Sequence, residues 1–266
     1  MTPTDQGTVD NDGASIAWES FGASDGPVIV FSHSLGLDSS TWQPQVEALV
    51  DNFRIVLVDS RGHGKSTTSS VPFTLERLAG DVLAAATGAG ADRFHLCGIS
   101  MAGQIALWAA INRPERLRSI VVANTAARIG TQQSWAERAA AIRSGGMRSI
   151  TEAAKRRFFS ADLLYRRPEW FEDTIATLES CNPIAYIACC EMLGHIDLTA
   201  DVAAISLPTL IIAGALDPTA NVDQARWLHE RIRGSELTVL EGAAHLSNLD
   251  RAEDFTGAMR SFLEHH

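Results

Sequence analysis

The 266-residue sequence has few cysteines, a deficit of basic residues and no long apolar run. The irregular spacing of its four cysteines excludes a disulfide framework and indicates buried thiols in a reducing compartment. With 22 Lys and Arg against 32 Asp and Glu, the net charge of −10 argues against nucleic acid or an anionic membrane surface as a partner. No apolar run approaches the ~18 residues that span a bilayer, and the N-terminus lacks the basic and apolar stretches of a signal peptide. We therefore expect a cytoplasmic protein.

Short runs of apolar residues alternate with longer stretches of helical pattern along most of the chain. Six runs have strand length and are followed by loop residues: Val28–Phe31, Arg54–Val58, Phe94–Cys97, Ile120–Val122, Leu210–Ala213 and Leu237–Leu240. Continuous apolar strands are typical of a parallel sheet that helices cover on both faces. Asn11-Asp12-Gly13, between two strand-like segments, predicts an antiparallel hairpin at one edge. The predicted fold class is α/β, with a mostly parallel, doubly wound sheet.

Residues 128–196 break this alternation. They contain no strand candidate, only helical patterns rich in Ala, Arg and Glu that Gly145-Gly146, Pro168 and Pro183 interrupt. About 70 such residues are too many for an ordinary connection between two strands. We therefore expect residues 1–127 and 197–266 to form the core, and residues 128–196 to form an inserted helical cap over the carboxyl edge of the sheet.

The segment from Gly98 to Ala102 lies between a predicted strand and a predicted helix. This is the context of a nucleophile elbow, G-x-S-x-G, with alanine in place of the last glycine. Small residues are needed there because the turn from strand to helix is sharp, and the turn exposes Ser100 at the edge of the sheet. The alternative for this segment alone is a turn of small residues that serves only tight packing.

A catalytic serine requires a base, and the base requires an acid that orients it. Asp217 follows the penultimate predicted strand and His245 follows the last one, so both belong at the edge where open α/β sheets bind ligands. The order Ser, Asp, His is the one used with this type of elbow. We predict a catalytic triad of Ser100, Asp217 and His245, with Asp223 as the substitute acid if Asp217 only caps the following turn.

An oxyanion hole needs two donors, one after the nucleophile and one from the loop after the third strand. The amides of Met101 and Leu35 occupy these places, and we predict that they form the hole. His33, in the same loop as Leu35, is expected to order that loop and not to transfer protons.

Two further groups of residues are not expected to carry chemistry. The loop Asp59–Ser66 lacks the spacing of a phosphate-binding loop, so it is predicted to be structural, with Asp59 paired to Arg61. The remaining histidines are scattered without the spacing of metal ligands, so no metal site is predicted.

The chain resembles the α/β-hydrolase superfamily, and within it the 3-oxoadipate enol-lactonases, over about residues 16–263. Five motifs carry the resemblance: HSLG (His33–Gly36), VDSRGHGKS (Val58–Ser66), CGISMAG (Cys97–Gly103), NTAARIG (Asn124–Gly130) and AAHLSNLD (Ala243–Asp250). The resemblance implies an α/β-hydrolase fold and the hydrolysis of 3-oxoadipate enol-lactone to 3-oxoadipate, a step of aromatic-acid catabolism that needs no cofactor.

This small anionic lactone carries an acetate arm, so a donor for a carboxylate should face Ser100. Trp135 and Arg138 are the candidates, because they lie three residues apart on one face of the first predicted cap helix, and arginine can bind a carboxylate through two hydrogen bonds. A packed tryptophan beside a solvated arginine is the alternative. Residues 128–170 contain nine basic and four acidic residues, so the cap is expected to concentrate positive charge over the site.

Other functions of the same scaffold stay open at this point. A carboxylesterase of different scope, a cofactor-free perhydrolase and a hydrolase of C–C bonds use the same triad. A ligand-binding receptor could also retain it. Ser100 excludes the relatives in this superfamily that use an aspartate nucleophile. Repeated turnover distinguishes a catalyst from a receptor.

Overall fold

The computed structural model describes residues 1–68 and 72–266. Within these residues eight strands form one sheet: β1 (Asp5–Asn11), β2 (Ala14–Phe21), β3 (Val28–Ser32), β4 (Arg54–Val58), β5 (Phe94–Ile99), β6 (Leu117–Ala123), β7 (Thr209–Gly214) and β8 (Glu236–Leu240). Their spatial order is β1-β2-β4-β3-β5-β6-β7-β8. The first two strands form an antiparallel hairpin, β2 pairs antiparallel with β4, and the other pairs are parallel. The predicted α/β fold and its edge hairpin are confirmed.

Eleven α-helices lie in the described ranges: α1 (Gln43–Leu49), α2 (Leu75–Gly88), α3 (Met101–Asn112), α4 (Gln132–Gly145), α5 (Thr151–Phe158), α6 (Ala161–Arg166), α7 (Pro168–Ser180), α8 (Pro183–His195), α9 (Val222–Arg231), α10 (Ser247–Asp250) and α11 (Ala252–Leu263). In the sheet, β4 lies on one side of β3 and β5 on the other. The connection from β3 to β4 and the connection from β4 to β5 therefore run in opposite directions across the sheet. Right-handed crossovers therefore place α1 and α2 on opposite faces of the sheet, where α1 packs against α11 and α2 packs against α3. No helix in these ranges is long and apolar enough to cross a membrane.

The burial of each strand follows its place in the sheet. Every residue of β5 and β7 is buried, because helices cover both faces of these interior strands. The edge strand β1 instead alternates between exposed and half-buried residues. The point where the strand order reverses lies between β3 and β5, whose paired residues include Ser32 and Gly98. Open α/β sheets bind ligands at the carboxyl edge beside such a point.

All five helices from α4 to α8 lie between β6 and β7, and we call them the cap. Within it, α4 packs along α8. The cap rests on the loop after β3 at Gly36, which has a φ of +81°. A side chain at Gly36 would come within 2.5 Å of the ring of Tyr186 on α8, so glycine allows the helix to lie directly on the loop. The exact cap boundaries, residues 128 and 196, stay a prediction.

A second contact joins the cap to the loop that carries His245. The carboxylate of Asp250 accepts hydrogen bonds from the amide of Ser160 at 2.9 Å, from its hydroxyl at 2.8 Å and from the amide of Ala244 at 2.6 Å. The amide of Leu246 donates to the carbonyl of Phe158 at 2.9 Å. The end of α5 is therefore fixed to the backbone on both sides of His245.

Candidate active site

Ser100 lies in a sharp turn between β5 and α3. Its φ of 58° and ψ of −118° are unusual for a residue other than glycine and store backbone strain. The neighbouring backbone maintains the turn: the amide of Ser100 donates to the carbonyl of Ala123 at 2.9 Å, and its carbonyl accepts from the hydroxyl of Thr125 at 2.8 Å. Ser100 is 7% exposed. The predicted elbow context, a strand followed by a tight turn and a helix, is present.

Glycine is required at two positions in and beside this turn, where neighbouring atoms approach closely. A Cβ at Gly98 would lie 2.1 Å from the carbonyl oxygen of Ala102, and a Cβ at Gly103 would lie 2.5 Å from the Cβ of Thr125. Ala102 itself is accommodated and buried. The departure of this chain from the usual elbow pattern is therefore harmless, because the second close contact falls at position 103.

The structure brings Ser100, His245 and Asp217 together in one hydrogen-bonded chain. The Nε2 atom of His245 lies 2.9 Å from the Oγ of Ser100, and its Nδ1 lies 2.8 Å from the Oδ2 of Asp217. Since a carboxylate only accepts, Nδ1 donates to Asp217, and Nε2 of the neutral ring accepts from the serine hydroxyl. The imidazole is also nearly parallel to the ring of Phe158, with centroids 6.3 Å apart. Nε2 is thus placed to take the proton of Ser100.

Asp217 is buried, yet it is held in its ionised form. Burial raises the pKa of this carboxyl group, but the charge and hydrogen bond of His245, the amide side chain of Asn124 and the backbone amide of Thr219 together lower it below the ordinary value. The last two donors lie 2.9 Å from Oδ2 and 2.7 Å from Oδ1. Asp223, the substitute acid considered from the sequence, is instead exposed and pairs with Arg226 on the surface of α9.

The loop after β3 has the rigidity that an oxyanion hole needs. The Nε2 of His33 accepts from the amide of Ser60 at 3.0 Å, so its Nδ1 carries the proton and donates to the carbonyl of Ser34 at 2.9 Å. That carbonyl also accepts from the amide of Leu37 at 3.1 Å. Because the peptide is planar and trans, fixing the carbonyl of Ser34 also fixes the opposite direction of the Leu35 N–H.

The amides of Leu35 and Met101 are available to a ligand. Within the described residues neither of them donates to a protein acceptor, and Met101 is the first residue of α3, where an amide has no partner inside the helix. The loops that carry them leave β3 and β5, which are adjacent in the sheet. Their positions fit the predicted pair of donors.

The loop after β4 is structural, but the predicted partner of Arg61 is wrong. Arg61 is buried and binds Asp81 on α2 through two hydrogen bonds of 2.6 Å. Asp59 instead accepts from the backbone amides of Ser39 and Lys65, at 2.9 and 2.8 Å. The pairing was misassigned because nearness in sequence is a poor guide to partners when a helix packs against the loop.

Trp135 is not the donor that the sequence suggested. Its side chain is buried, and its indole N–H donates to the carbonyl of Ile129 at 2.7 Å. The guanidinium of Arg138 lies over the indole ring, 4.5 Å from its centroid, an arrangement that favours a cation. Trp135 therefore supports Arg138 and has no N–H left for a substrate.

Arg157, at the end of α5, was not singled out from the sequence but lies beside Arg138 in the structure. The residue is half-buried, and in the described part of the chain it forms no ion pair. Burial, followed by the neighbouring charge of Arg138, lowers its pKa to about 10, while Tyr186 and Asp217 have the opposite effect. An open cleft of about 500 Å³ contains both arginines and the loop directly after Asp217. The only sequence signal for Arg157 was its place in a run of basic residues.

Most other basic residues of the cap face outward. Six of the nine between residues 128 and 170 pair with surface carboxylates: Arg128 with Asp197, Arg143 with Glu191, Arg148 with Glu179, Lys155 with Glu152, Arg166 with Asp162 and Arg167 with Glu169. Three of these carboxylates follow residue 170 in the chain, so the charge count over residues 128–170 did not include them. The excess charge expected over the site is thus largely neutralised, and what remains is concentrated at Arg138, Arg156 and Arg157.

Comparison with known proteins agrees with this geometry. Residues 29–258 match the alpha/beta hydrolase family. The chain is 36% identical to 3-oxoadipate enol-lactonase 2 of Acinetobacter baylyi over 250 residues, which cover 94% of this chain and 93% of that protein. It superposes on the crystal structure of the enol-lactonase from Burkholderia xenovorans LB400 with a TM-score of 0.94 and 34% identity, covering 97% of this chain and 100% of the other.

A thermophilic esterase from Thermogutta terrifontis, whose structure has malate bound, gives a TM-score of 0.91 at 26% identity, with 98% of each chain covered. Sequence identity is therefore higher to the enol-lactonases than to this esterase, although the folds are almost equally alike. The chain belongs to the alpha/beta hydrolase family and, within it, to the 3-oxoadipate enol-lactonases.

Proposed function

We propose that this protein hydrolyses 3-oxoadipate enol-lactone to 3-oxoadipate, with Ser100 as the nucleophile. The observation that carries the proposal is the hydrogen-bonded chain Ser100–His245–Asp217 in a protein similar to enol-lactonases over almost its whole length. A serine beside a neutral, oriented imidazole is suited to acyl transfer.

In the first step His245 takes the proton of Ser100 while Oγ attacks the lactone carbonyl. The N–H groups of Leu35 and Met101 donate to the oxyanion that forms, and the strain at Ser100 holds Oγ in position. Asp217 keeps the imidazole in the tautomer that can accept this proton, and it stabilises the imidazolium.

Collapse of the tetrahedral intermediate breaks the ring C–O bond and turns the ring oxygen into an enolate. His245 can return its proton to this leaving group, which becomes the ketone of the product by tautomerisation. Because the ester is cyclic, the leaving group stays attached to the acyl-enzyme. A water molecule, activated by His245, must then attack the acyl carbon beside it. Apart from water, these steps use only the side chains and backbone amides named above.

We infer that Arg138 and Arg157 bind the acetate arm of the lactone. The two guanidinium groups are neighbours, both lie in the cleft beside the loop that follows Asp217, and neither forms an ion pair with a carboxylate of the described residues. Two like charges held together on the half-buried face of the cap are stabilised when an anion lies between them. Trp135 supports this site as the platform for Arg138.

We also infer that the protein works in the cytoplasm. All four of its cysteines are buried free thiols, and such thiols persist in a reducing compartment.

The test follows the loss of ultraviolet absorbance of the enol-lactone with the wild type and with Ser100→Ala. The variant should lose at least about 10⁴-fold in kcat, since removal of a serine nucleophile abolishes the acyl-enzyme route. Ser144→Ala, on the exposed side of α4, is the matched control and should keep wild-type activity. A wild type that turns over neutral 4-nitrophenyl esters but not the lactone is an esterase of other scope. One slow round with the ligand retained indicates a receptor.

A further inference from the structure

Asn124 is a buried polar residue that contacts the triad, and it has no part in the mechanism described above. It follows β6 directly and has a φ of +45°; among the described residues other than glycine, only Asp12 and Ser100 also have a positive φ. Asparagine tolerates this conformation better than most residues. Its amide N–H donates to the carbonyl of Ile212 at 2.9 Å, so the strained backbone is held against β7.

The side chain of Asn124 contacts both the acid and the loop of the base. Its Nδ2 lies 2.9 Å from the Oδ2 of Asp217, the same oxygen that accepts from His245, and 3.2 Å from the carbonyl of Ala244. One amide group therefore uses its two N–H donors on two segments that follow different strands, β7 and β8.

A second residue satisfies the oxygen side of this amide. Nδ2 must face Asp217 and Ala244, because a carboxylate and a carbonyl only accept hydrogen bonds. The hydroxyl of Ser247 then donates to the Oδ1 of Asn124 and holds the side chain from the other side. Both side chains are at most 1% exposed, which leaves water little chance to replace either bond.

We propose that Asn124, held in place by Ser247, is a positioning residue that acts through Asp217 and His245 and sets the pH range in which the triad works. Its N–H shares the charge of Oδ2 with the imidazole, so the carboxylate binds the protonated imidazole less strongly than it would alone. Its bond to Ala244 holds the backbone before His245 at a fixed distance from Asp217. The proposal depends on the triad hydrolysis described above.

The test is the pH profile of kcat/KM for Asn124→Ala, Asn124→Asp and Ser247→Ala. For Asn124→Ala we expect a fall of about ten- to hundredfold, the range typical when a partner that orients an active-site group is lost. We also expect the acid limb to move to higher pH, because the carboxylate then stabilises the protonated imidazole more. Asn124→Asp keeps the size and the tolerated backbone conformation, and its carboxyl group shares a proton with Asp217. The O–H of this pair replaces the lost N–H donor, so its shift should be smaller than that of Asn124→Ala. Ser247→Ala should shift the limb least, in the same direction.

Asn248→Asp is the matched control. Asn248 is as buried as Asn124 and donates to the carbonyl of Thr41, away from the triad. This change costs stability but should leave the acid limb in place. A loss of activity in the Asn124 variants without a shift of the limb would overturn the proposal, since a merely structural role predicts that result. Unchanged kcat/KM in Asn124→Ala would overturn it as well.

A readout without turnover keeps this test separate from the proposed substrate. The proton NMR signal of the N–H between His245 and Asp217, followed against pH, should change its midpoint in the Asn124 variants and not in Asn248→Asp. The pH profiles can also be measured with any ester that the wild type hydrolyses. Failure to hydrolyse the enol-lactone would therefore contradict the proposed function and leave the role of Asn124 to be decided by these measurements.

Discussion

The core and the cap both contribute to the site, but they place their side chains by different rules. In the core, Ser100, Asp217 and His245 each follow the end of a strand, and neighbouring parallel strands end at the same edge. The pairing of Ser32 with Gly98 also brings the loop of Leu35 beside that of Ser100. Position along the chain is therefore almost sufficient to predict position in the site.

In the cap, residues next to each other in sequence face different surroundings. Arg156 is exposed and Arg157 is half-buried beside Arg138, while Lys155 pairs with Glu152 on the surface. A short helix turns successive side chains by about 100°, so its packing decides which of them faces the site. The comparison shows that a count of charges predicts little about a helical cap, whereas strand ends predict much about the core.

The strongest test of this comparison replaces, in separate variants, arginines of the cap that face the cleft and one that faces outward. Arg157→Met should raise KM and lower kcat/KM for the anionic enol-lactone by roughly 10- to 150-fold, the equivalent of about 1.5–3 kcal/mol for a lost hydrogen bond to a charged group. Arg138→Met should act in the same direction. Arg148→Met, the control on the outer surface, should change kcat/KM by less than about twofold. Steady-state kinetics give all three values.

The neutral analogue α-angelica lactone, which has a methyl group in place of the acetate arm, completes this test. Its kcat/KM should change little in Arg157→Met, because it has no carboxylate to lose. Equal losses with both lactones would mean that Arg157 supports the fold and not the recognition of an anion.

A second prediction concerns the buried histidines of the core. Burial, with the neighbouring His33, lowers the pKa of His63 from 6.5 to about 3, against the opposing effects of the Arg61 carbonyl and Asp59. Below about pH 6.5 the unfolded chain therefore binds a proton that the folded chain does not. The free energy of unfolding should fall by about 1.6 kcal/mol between pH 6.5 and pH 5 on account of this residue. His63→Gln should reduce the slope of the unfolding free energy against pH by the equivalent of about one proton. Urea unfolding at a series of pH values measures this slope.

His95 offers an independent check, because burial and nearby positive groups lower its pKa to about 4. His95→Gln should reduce the same dependence by about one proton, and the double variant by about two. If the slope between pH 5 and pH 6.5 stays at the wild-type value in both single variants, the two rings are not kept neutral by the fold.

The smallest effects are expected on the outer surface of the cap. Arg143 pairs with Glu191 across α4 and α8, but both side chains are about half exposed. Arg143→Ala should therefore change the free energy of unfolding by less than about 0.5 kcal/mol and leave kcat/KM unchanged. Added salt should lower kcat/KM of the wild type only modestly, since the outward charges are already neutralised. A steep salt dependence that Arg143→Ala reduces would show that these charges steer the substrate.

The predictions made from the sequence succeeded where a local pattern implied a place in the sheet. The strands, the edge hairpin, the elbow context at Ser100 and the family all followed from patterns of a few residues. The pairing of Asp59 with Arg61 and the donor role of Trp135 failed, because each depends on a partner that the pattern does not contain: Asp81 on α2 and the carbonyl of Ile129. Arg157 was overlooked because nothing in a run of basic residues marks the one that turns inward.

The sequence by itself determined the fold class and the order of the candidate nucleophile, acid and base. Strand periodicity and the turn at Ser100 are local properties, and the ends of parallel strands meet at one edge. Only the tertiary structure decided which cap arginines face the cleft and which carboxylates neutralise the others. It also brought Asn124 and Ser247, 123 residues apart, into contact beside Asp217. The physical reason is that ion pairs and buried hydrogen bonds depend on distance in space, and helix packing sets that distance between segments far apart in the chain.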